Sequence, residues 1–189
     1  MKKKYILLIV FFVMCIILVA CKKHKTEQDE LSKLPPATQT GANIFGCLVN
    51  GKAWVAQTDC KFLCNPYIQV NYDPKFGGFL SITGDWSNTT ENVDQRIEIV
   101  IDSSNFFSSR VINIANSKTT ASFSDYIQTG LCNRYKRNLD SMVIHSGMLH
   151  ITRYDLQSGI ISGTFDIKLT KPGCADLVIT NGRFDKKIF

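Results

Sequence analysis

Between Asp94 and Asp102 the chain alternates: Ile97, Ile99 and Ile101 take one set of positions, and Arg96, Glu98 and Asp102 take the other. Successive side chains of an extended strand point to opposite faces, so this run builds a strand with one face in a core and one in water. Gly159 to Thr170 repeats the device, with Ile161, Phe165, Ile167 and Leu169 opposite Ser162, Thr164, Asp166 and Lys168. Turn chemistry marks where such strands reverse. Asn50-Gly51, between Ile44–Asn50 and Lys52–Ala56, suits the two positive φ values of a type I′ hairpin. Asp73-Pro74-Lys75-Phe76-Gly77 separates Tyr67–Tyr72 from Gly78–Trp86 as a second reversal.

Further along, Val111, Ile112 and Ile114 fit a strand, while Phe106 and Phe107 could take a helical turn. Thr119–Thr129, rich in Thr, Ser, Phe and Tyr, reads as a strand with little burial. Met142–Tyr154 and Asp176–Ile188 follow, with Asn181-Gly182 read as a bulge within the last strand. Nine or ten strands with almost no helical periodicity predict an all-β domain over residues 43–189. Its architecture would be a single antiparallel β-sandwich or partly open β-barrel.

The first twenty residues belong to a different physical class. Lys2, Lys3 and Lys4 precede an unbroken apolar run from Tyr5 to Ala20, a secretory signal layout too short for an ordinary membrane span. Leu18-Val19-Ala20-Cys21 resembles the lipobox of bacterial lipoproteins. That resemblance implies that residues 1–20 are a lipoprotein signal peptide and that Cys21 becomes the first residue of the mature chain, acylated on its thiol and amine. Three acyl chains, at about 0.8 kcal/mol per buried methylene, make attachment effectively permanent. The alternative is an uncleaved N-terminal helix, for which Lys22, Lys23 and Lys25 after the run would serve as a stop signal. Lys22–Thr40, polar and broken by Pro35 and Pro36, offers little but Leu31 and Leu34 to bury, so residues 21–42 read as a flexible, lipidated tether that lets the domain stand off the bilayer.

The charge is +6 over the whole sequence and +3 once Lys2, Lys3 and Lys4 are removed, nineteen Lys and Arg standing against sixteen Asp and Glu. Charge so small and scattered is no nucleic-acid footprint, and Arg134, Lys136 and Arg137 read as a solvated loop. Seven cysteines are present. Cys15 leaves with the signal peptide and Cys21 takes lipid, so Cys47, Cys60, Cys64, Cys132 and Cys174 remain for an oxidising compartment, two disulfides and one free thiol being the simplest count. If the last four strands form a meander, the loops carrying Cys132 and Cys174 share one end, which makes this the preferred pair. Cys60 with Cys64, or Cys47 with one of them, supplies the second. Zinc is the rival for Cys60-Lys-Phe-Leu-Cys64, but no second ligand pair stands near in sequence.

No catalytic constellation emerges. His145 and His150, five apart on one strand, fall on opposite faces and cannot share a metal unless a bulge at Gly147 resets the register. Asp140, Ser141 and His145 are the residue types of a hydrolase, yet no Gly-x-Ser-x-Gly elbow surrounds Ser141. Asp140-Ser141-Met142 also resembles the short O-glycosylation acceptor of Bacteroidota, making Ser141 a candidate acceptor. Asp166, Asp176 and Asp185 sit where a wet strand face or a turn expects a carboxylate, and no Asp-x-Asp-x-Asp calcium run exists. Trp54, Trp86, Tyr67 and Tyr72 are either core or an aromatic platform for sugar.

The order of features carries a wider resemblance. The lipobox, the tether Lys33-Leu34-Pro35-Pro36-Ala37-Thr38-Gln39-Thr40-Gly41, the hairpin Phe45-Gly46-Cys47-Leu48-Val49-Asn50-Gly51-Lys52-Ala53-Trp54, and the stretch from Ile161-Ser162-Gly163-Thr164-Phe165 to Gly182-Arg183-Phe184-Asp185 resemble a group of uncharacterised β-rich Bacteroidota envelope lipoproteins. The resemblance implies an all-β domain anchored to the outer membrane and carries no established activity or cofactor. Exported members of that phylum carry acidic residues after the lipidated cysteine, whereas Lys22 and Lys23 stand here, which favours a periplasm-facing anchor over surface display. The function expected is a non-catalytic module that binds an envelope protein or a glycan. A small ligand-carrying barrel or a periplasmic hydrolase is the alternative.

Overall fold

A computed structural model of the protein describes residues 27–60, 66–73, 78–102, 110–115, 119–136 and 143–189. Residues 1–20, Cys21, Cys64, Asp140 and Ser141 lie outside these residues. The alternating run becomes β6 (Val93–Asp102), with Ile97, Ile99 and Ile101 all but fully buried and Arg96 and Glu98 on the opposite face. The hairpin around Asn50-Gly51 joins β1 (Ile44–Val49) to β2 (Lys52–Val55), with φ of 49° and 78° at its two central residues. The Asn50 side chain then accepts a hydrogen bond from Val178 N at 2.8 Å, fastening the turn to the strand beside it.

Among the described residues twelve strands form two sheets of six, more than the nine or ten expected, because three strands of only two or three residues left no periodic signature. The first sheet has the order β2-β1-β12-β11-β10-β7, where β7 is Val111–Asn113, β10 Ile144–Asp155, β11 Ile160–Thr170 and β12 Leu177–Lys187. In the second, β5 (Phe79–Asn88), β6, β8 (Thr119–Asp125) and β9 (Arg134–Tyr135) run side by side. The edge of β5 is taken by β4 (Ile68–Asp73) and, further along, by β3 (Gln57–Thr58). All pairings are antiparallel except the two-residue β3–β5 contact. The sheets stack as an open β-sandwich, so the barrel alternative is set aside.

Its core is made from the two inner faces. Phe45, Phe165 and Phe184 of the first sheet meet Leu80, Ile82, Ile97, Ile99 and Phe123 of the second. Phe45 presses on Gly84 so closely that a Cβ there would stand 2.7 Å from the ring. On β12 Asn181 adopts φ of 54°, and the pairings on both sides skip one residue there, confirming the bulge. β8 corrects the expectation of little burial: Thr119, Ala121, Ser122, Phe123, Ser124 and Asp125 are all buried.

Residues 27–42, part of the expected tether, are docked on the sandwich. A helical turn over 27–31 places Glu30 so that its carboxylate accepts a hydrogen bond from Ala53 N at 2.8 Å. Leu34 is buried, and Pro35 packs over Gly46. Arg153 and Arg183 donate to the carbonyl oxygens of Gln39 and Pro35. Asp185 anchors the rest. It is fully buried, and its carboxylate accepts hydrogen bonds from Thr38 Oγ1 (2.7 Å), Thr40 N (2.9 Å), Gly41 N (2.9 Å), Ala42 N (3.0 Å) and Ser162 Oγ (2.7 Å). Burial alone would raise its pKa, but the bonds from Ala42 N, Ser162, Thr38 and Gly41 N outweigh it and bring the value to about 2. Residues 40–42 need no apolar side chain, because the Asp185 carboxylate holds them through their backbone N–H groups.

Candidate functional site

The residues of β6, β8 and β9 that point away from the core make a polar groove on the outer surface of the second sheet. Its rows follow from register: Thr83, Glu98 and Ser122 face one another across β5, β6 and β8, and Asp85, Arg96, Ser124 and Arg134 form the next row, reaching β9. Two adjoining clefts of about 120 and 250 Å³ share Glu98, Ser122 and Lys136. The floor is small and hydroxylic. Phe79 and Val100 line the far end of the larger cleft, while Ser122 and Ser124 are buried although they face outward, because the long side chains of Arg96, Glu98 and Lys136 rise around them. Their hydroxyls make no hydrogen bond among the described residues, which leaves donors and acceptors turned toward the groove.

The walls are charged. Arg96 donates through Nε and Nη2 to both oxygens of Asp85, at 2.6 and 3.1 Å, a fork that raises its pKa further above the ordinary value while burial works against it. Lys136 pairs with Glu98 at 3.3 Å. Arg134 has no carboxylate partner among the described residues; its guanidinium lies 5.3 Å above the centre of the Tyr126 ring. Three cations therefore face two carboxylates, and Arg134 keeps its hydrogen-bonding capacity unspent.

A strand of two residues cannot hold this wall by its ladder alone. Cys132, in the 3-10 turn Leu131–Asn133 just before β9, is bridged to Cys174 in the β11–β12 loop of the other sheet. Lys171, buried, donates to the carbonyl oxygens of Leu131 (2.8 Å) and Arg134 (3.0 Å), and Tyr135 Oη donates to Ala175 O (2.7 Å). The preferred disulfide is thus present, but for a different reason from the one expected: it joins the two sheets rather than two loops of one meander.

The other predicted residues are dispersed. Cys60 is disulfide-bonded, which withdraws its thiolate from metal binding. Cys47 is a free thiol in the core, its pKa pushed well up by burial. His145 is buried and His150 exposed, on opposite faces of β10, whose pairing with β11 runs without a bulge at Gly147. Asp166 caps the Asn181 bulge by accepting from Asn181 N, and Asp176 pairs with Lys168. Asp185, expected on a wet face, is the buried anchor of residues 38–42. The three carboxylates form no cluster, and among the described residues no group of three His, Cys, Asp or Glu could hold a metal ion.

Trp54 is core and stacks edge-on against both Phe45 and Trp86. Its indole N–H donates to Gln95 Oε1 at 2.9 Å, and Gln95 Nε2 donates to Asp125 at 2.8 Å, so one end of the core is closed by a polar chain. Tyr72 packs against Tyr154, and Tyr67 is partly exposed, so the four aromatics form no common platform. Sequence reading missed the groove. Its signal was the row of small hydroxyl residues Thr120, Ser122 and Ser124 alternating with buried Ala121 and Phe123.

Compared with protein-family models, with curated proteins and with solved structures, the chain matches none.

Proposed function

We propose that this chain is a lipid-anchored protein of the bacterial envelope whose β-sandwich is a non-catalytic interaction module, with the outer groove of its second sheet as the recognition surface. The observation that carries the reading is a set of groups with no hydrogen-bond partner among the described residues, the Ser122 and Ser124 hydroxyls and the Arg134 guanidinium, held on a rigid sheet. Such groups remain hydrated until a ligand replaces the water, and rigid placement keeps the entropic cost of binding low.

The anchor reading rests on the apolar run ending at Ala20-Cys21. Cys21 is nine residues from Glu30, whose carboxylate binds Ala53 N, a reach of about 30 Å when fully extended. The sandwich would therefore sit close to the outer membrane on its periplasmic side instead of standing off on a long leash.

Metabolic palmitate labelling of wild type and Cys21→Ser tests the anchor: label in the wild type alone is expected, and equal label in both refutes it. Pull-down from native envelopes with wild type and Ser124→Trp, which fills the groove from its floor, tests the surface. Loss of specific partners in the variant is expected; an unchanged partner set removes the groove from the account.

A further inference from the structure

We propose that the groove binds an acidic polysaccharide, a sugar chain bearing carboxylate groups, with Arg134 as the residue that takes the carboxylate and Ser122 and Ser124 as partners of the sugar hydroxyls. The inference rests on the recognition surface proposed above and names its ligand class.

Three features of the groove select this chemistry. The first is charge: Arg96 is occupied by Asp85 and Lys136 by Glu98, so among the described residues Arg134 supplies a cation in excess, and a planar guanidinium matches a planar carboxylate through two parallel hydrogen bonds. Its place is fixed before binding, by the Tyr126 ring beneath it and by the disulfide and the Lys171 bonds that hold its strand. The second is the floor. Serine and threonine hydroxyls each donate and accept, as sugar hydroxyls do, and Phe79 and Val100 along the larger cleft offer an apolar stretch on which the face of a sugar ring can rest. The third is shape. The clefts adjoin along β8, from Thr120 to Tyr126, a run of about 20 Å at 3.3 Å per residue that suits an extended chain better than an isolated ion. The backbone of β6 is already paired on both sides, so a peptide cannot add there as a strand.

The test is calorimetric titration of the full-length protein in detergent with polygalacturonate, with the same polymer fully methyl-esterified, with dextran sulfate, and with phosphatidylglycerol vesicles. Saturable binding of polygalacturonate is expected, with the esterified polymer at least about tenfold weaker, the loss appropriate to one charge-assisted pair. Arg134→Gln should weaken binding by about tenfold, and Ser122→Ala with Ser124→Ala should weaken it further. Lys168→Gln, which removes one positive charge on the other sheet, should leave it unchanged. Thermal unfolding of each variant within a few degrees of wild type shows that the fold is retained; should Arg134→Gln fall outside that range, Arg134→Lys, which keeps the charge and loses the planar fork, replaces it and should also weaken binding. Equal affinity for the acid and ester forms, tighter binding of dextran sulfate or of the vesicles, or equal losses from Arg134→Gln and Lys168→Gln each overturn the proposal. If none of these probes binds while Ser124→Trp still loses its envelope partners, the ligand class is wrong and the recognition surface stands.

Discussion

Replacing Asp185 by asparagine changes a single atom type in the core, yet it removes the charge around which residues 38–42 are arranged. The carboxylate receives five donors, three of them backbone N–H groups. An asparagine oxygen placed where Oδ2 lies keeps Thr38, Thr40 and Ala42, but as neutral bonds of roughly half the strength, while Gly41 N, shared between the two oxygens in the wild type, keeps only its 3.0 Å arm and faces the N–H of the new amide. With three bonds weakened by about 1 kcal/mol each, the cost is about 3 kcal/mol, equivalent to roughly 10 °C in a domain of this size. Protonation gives an independent figure. A shift from 3.8 to about 2 corresponds to about 2 kcal/mol at 1.36 kcal/mol per unit. The sign follows from the folded value being the lower one: this stability is present above pH 3.8 and is lost as pH falls toward 2. Urea unfolding of wild type and Asp185→Asn between pH 7 and pH 2.5 should show a gap of about 3 kcal/mol that narrows as the wild type protonates. Trypsin should also cut after Lys33 faster in the variant. A difference below about 1 kcal/mol at pH 7, with unchanged cleavage at Lys33, would refute the reasoning that residues 38–42 are held by charge.

Other perturbations probe the remaining supports. Cys132→Ser with Cys174→Ser opens a link spanning 42 residues and should cost roughly 2–4 kcal/mol in urea unfolding; a native-like midpoint would show that Lys171 and Tyr135 suffice to hold β9. Gly84→Ala drives a methyl to within 2.7 Å of the Phe45 ring, and a loss of about 1–3 kcal/mol by thermal unfolding is expected, while a neutral result would mean the sheets separate freely there. Gln95→Leu removes the partner of both Trp54 Nε1 and Asp125, so a blue shift of tryptophan emission with a loss of about 1–3 kcal/mol is expected, and an unchanged spectrum would argue against the bridge.

What could be read from sequence alone was whatever repeats or turns. β6 and β11 announced themselves because period two over ten or more residues has one physical explanation, and Asn50-Gly51 because few other dipeptides accept two positive φ values. β3, β7 and β9 were too short for any period to show, so the strand count fell short. The docking of residues 27–42 was hidden for another reason: hydropathy registers buried side chains, and this segment is held through its backbone by a carboxylate more than 140 residues away. The groove escaped notice because its floor is made of serines that look solvent-facing one at a time. Only register places Ser122 beside Glu98 and Ser124 beside Arg134 and makes their shared burial visible.

The claim on which the functional account turns is that one outer face of the sandwich meets a partner and the other does not. A photoreactive amino acid placed at Ser124, in the groove, or at Met148, exposed on the first sheet, would capture whatever touches each face in intact cells. Discrete adducts from position 124 and none from position 148 are expected; adducts from 148 alone, or the same adducts from both, would contradict it.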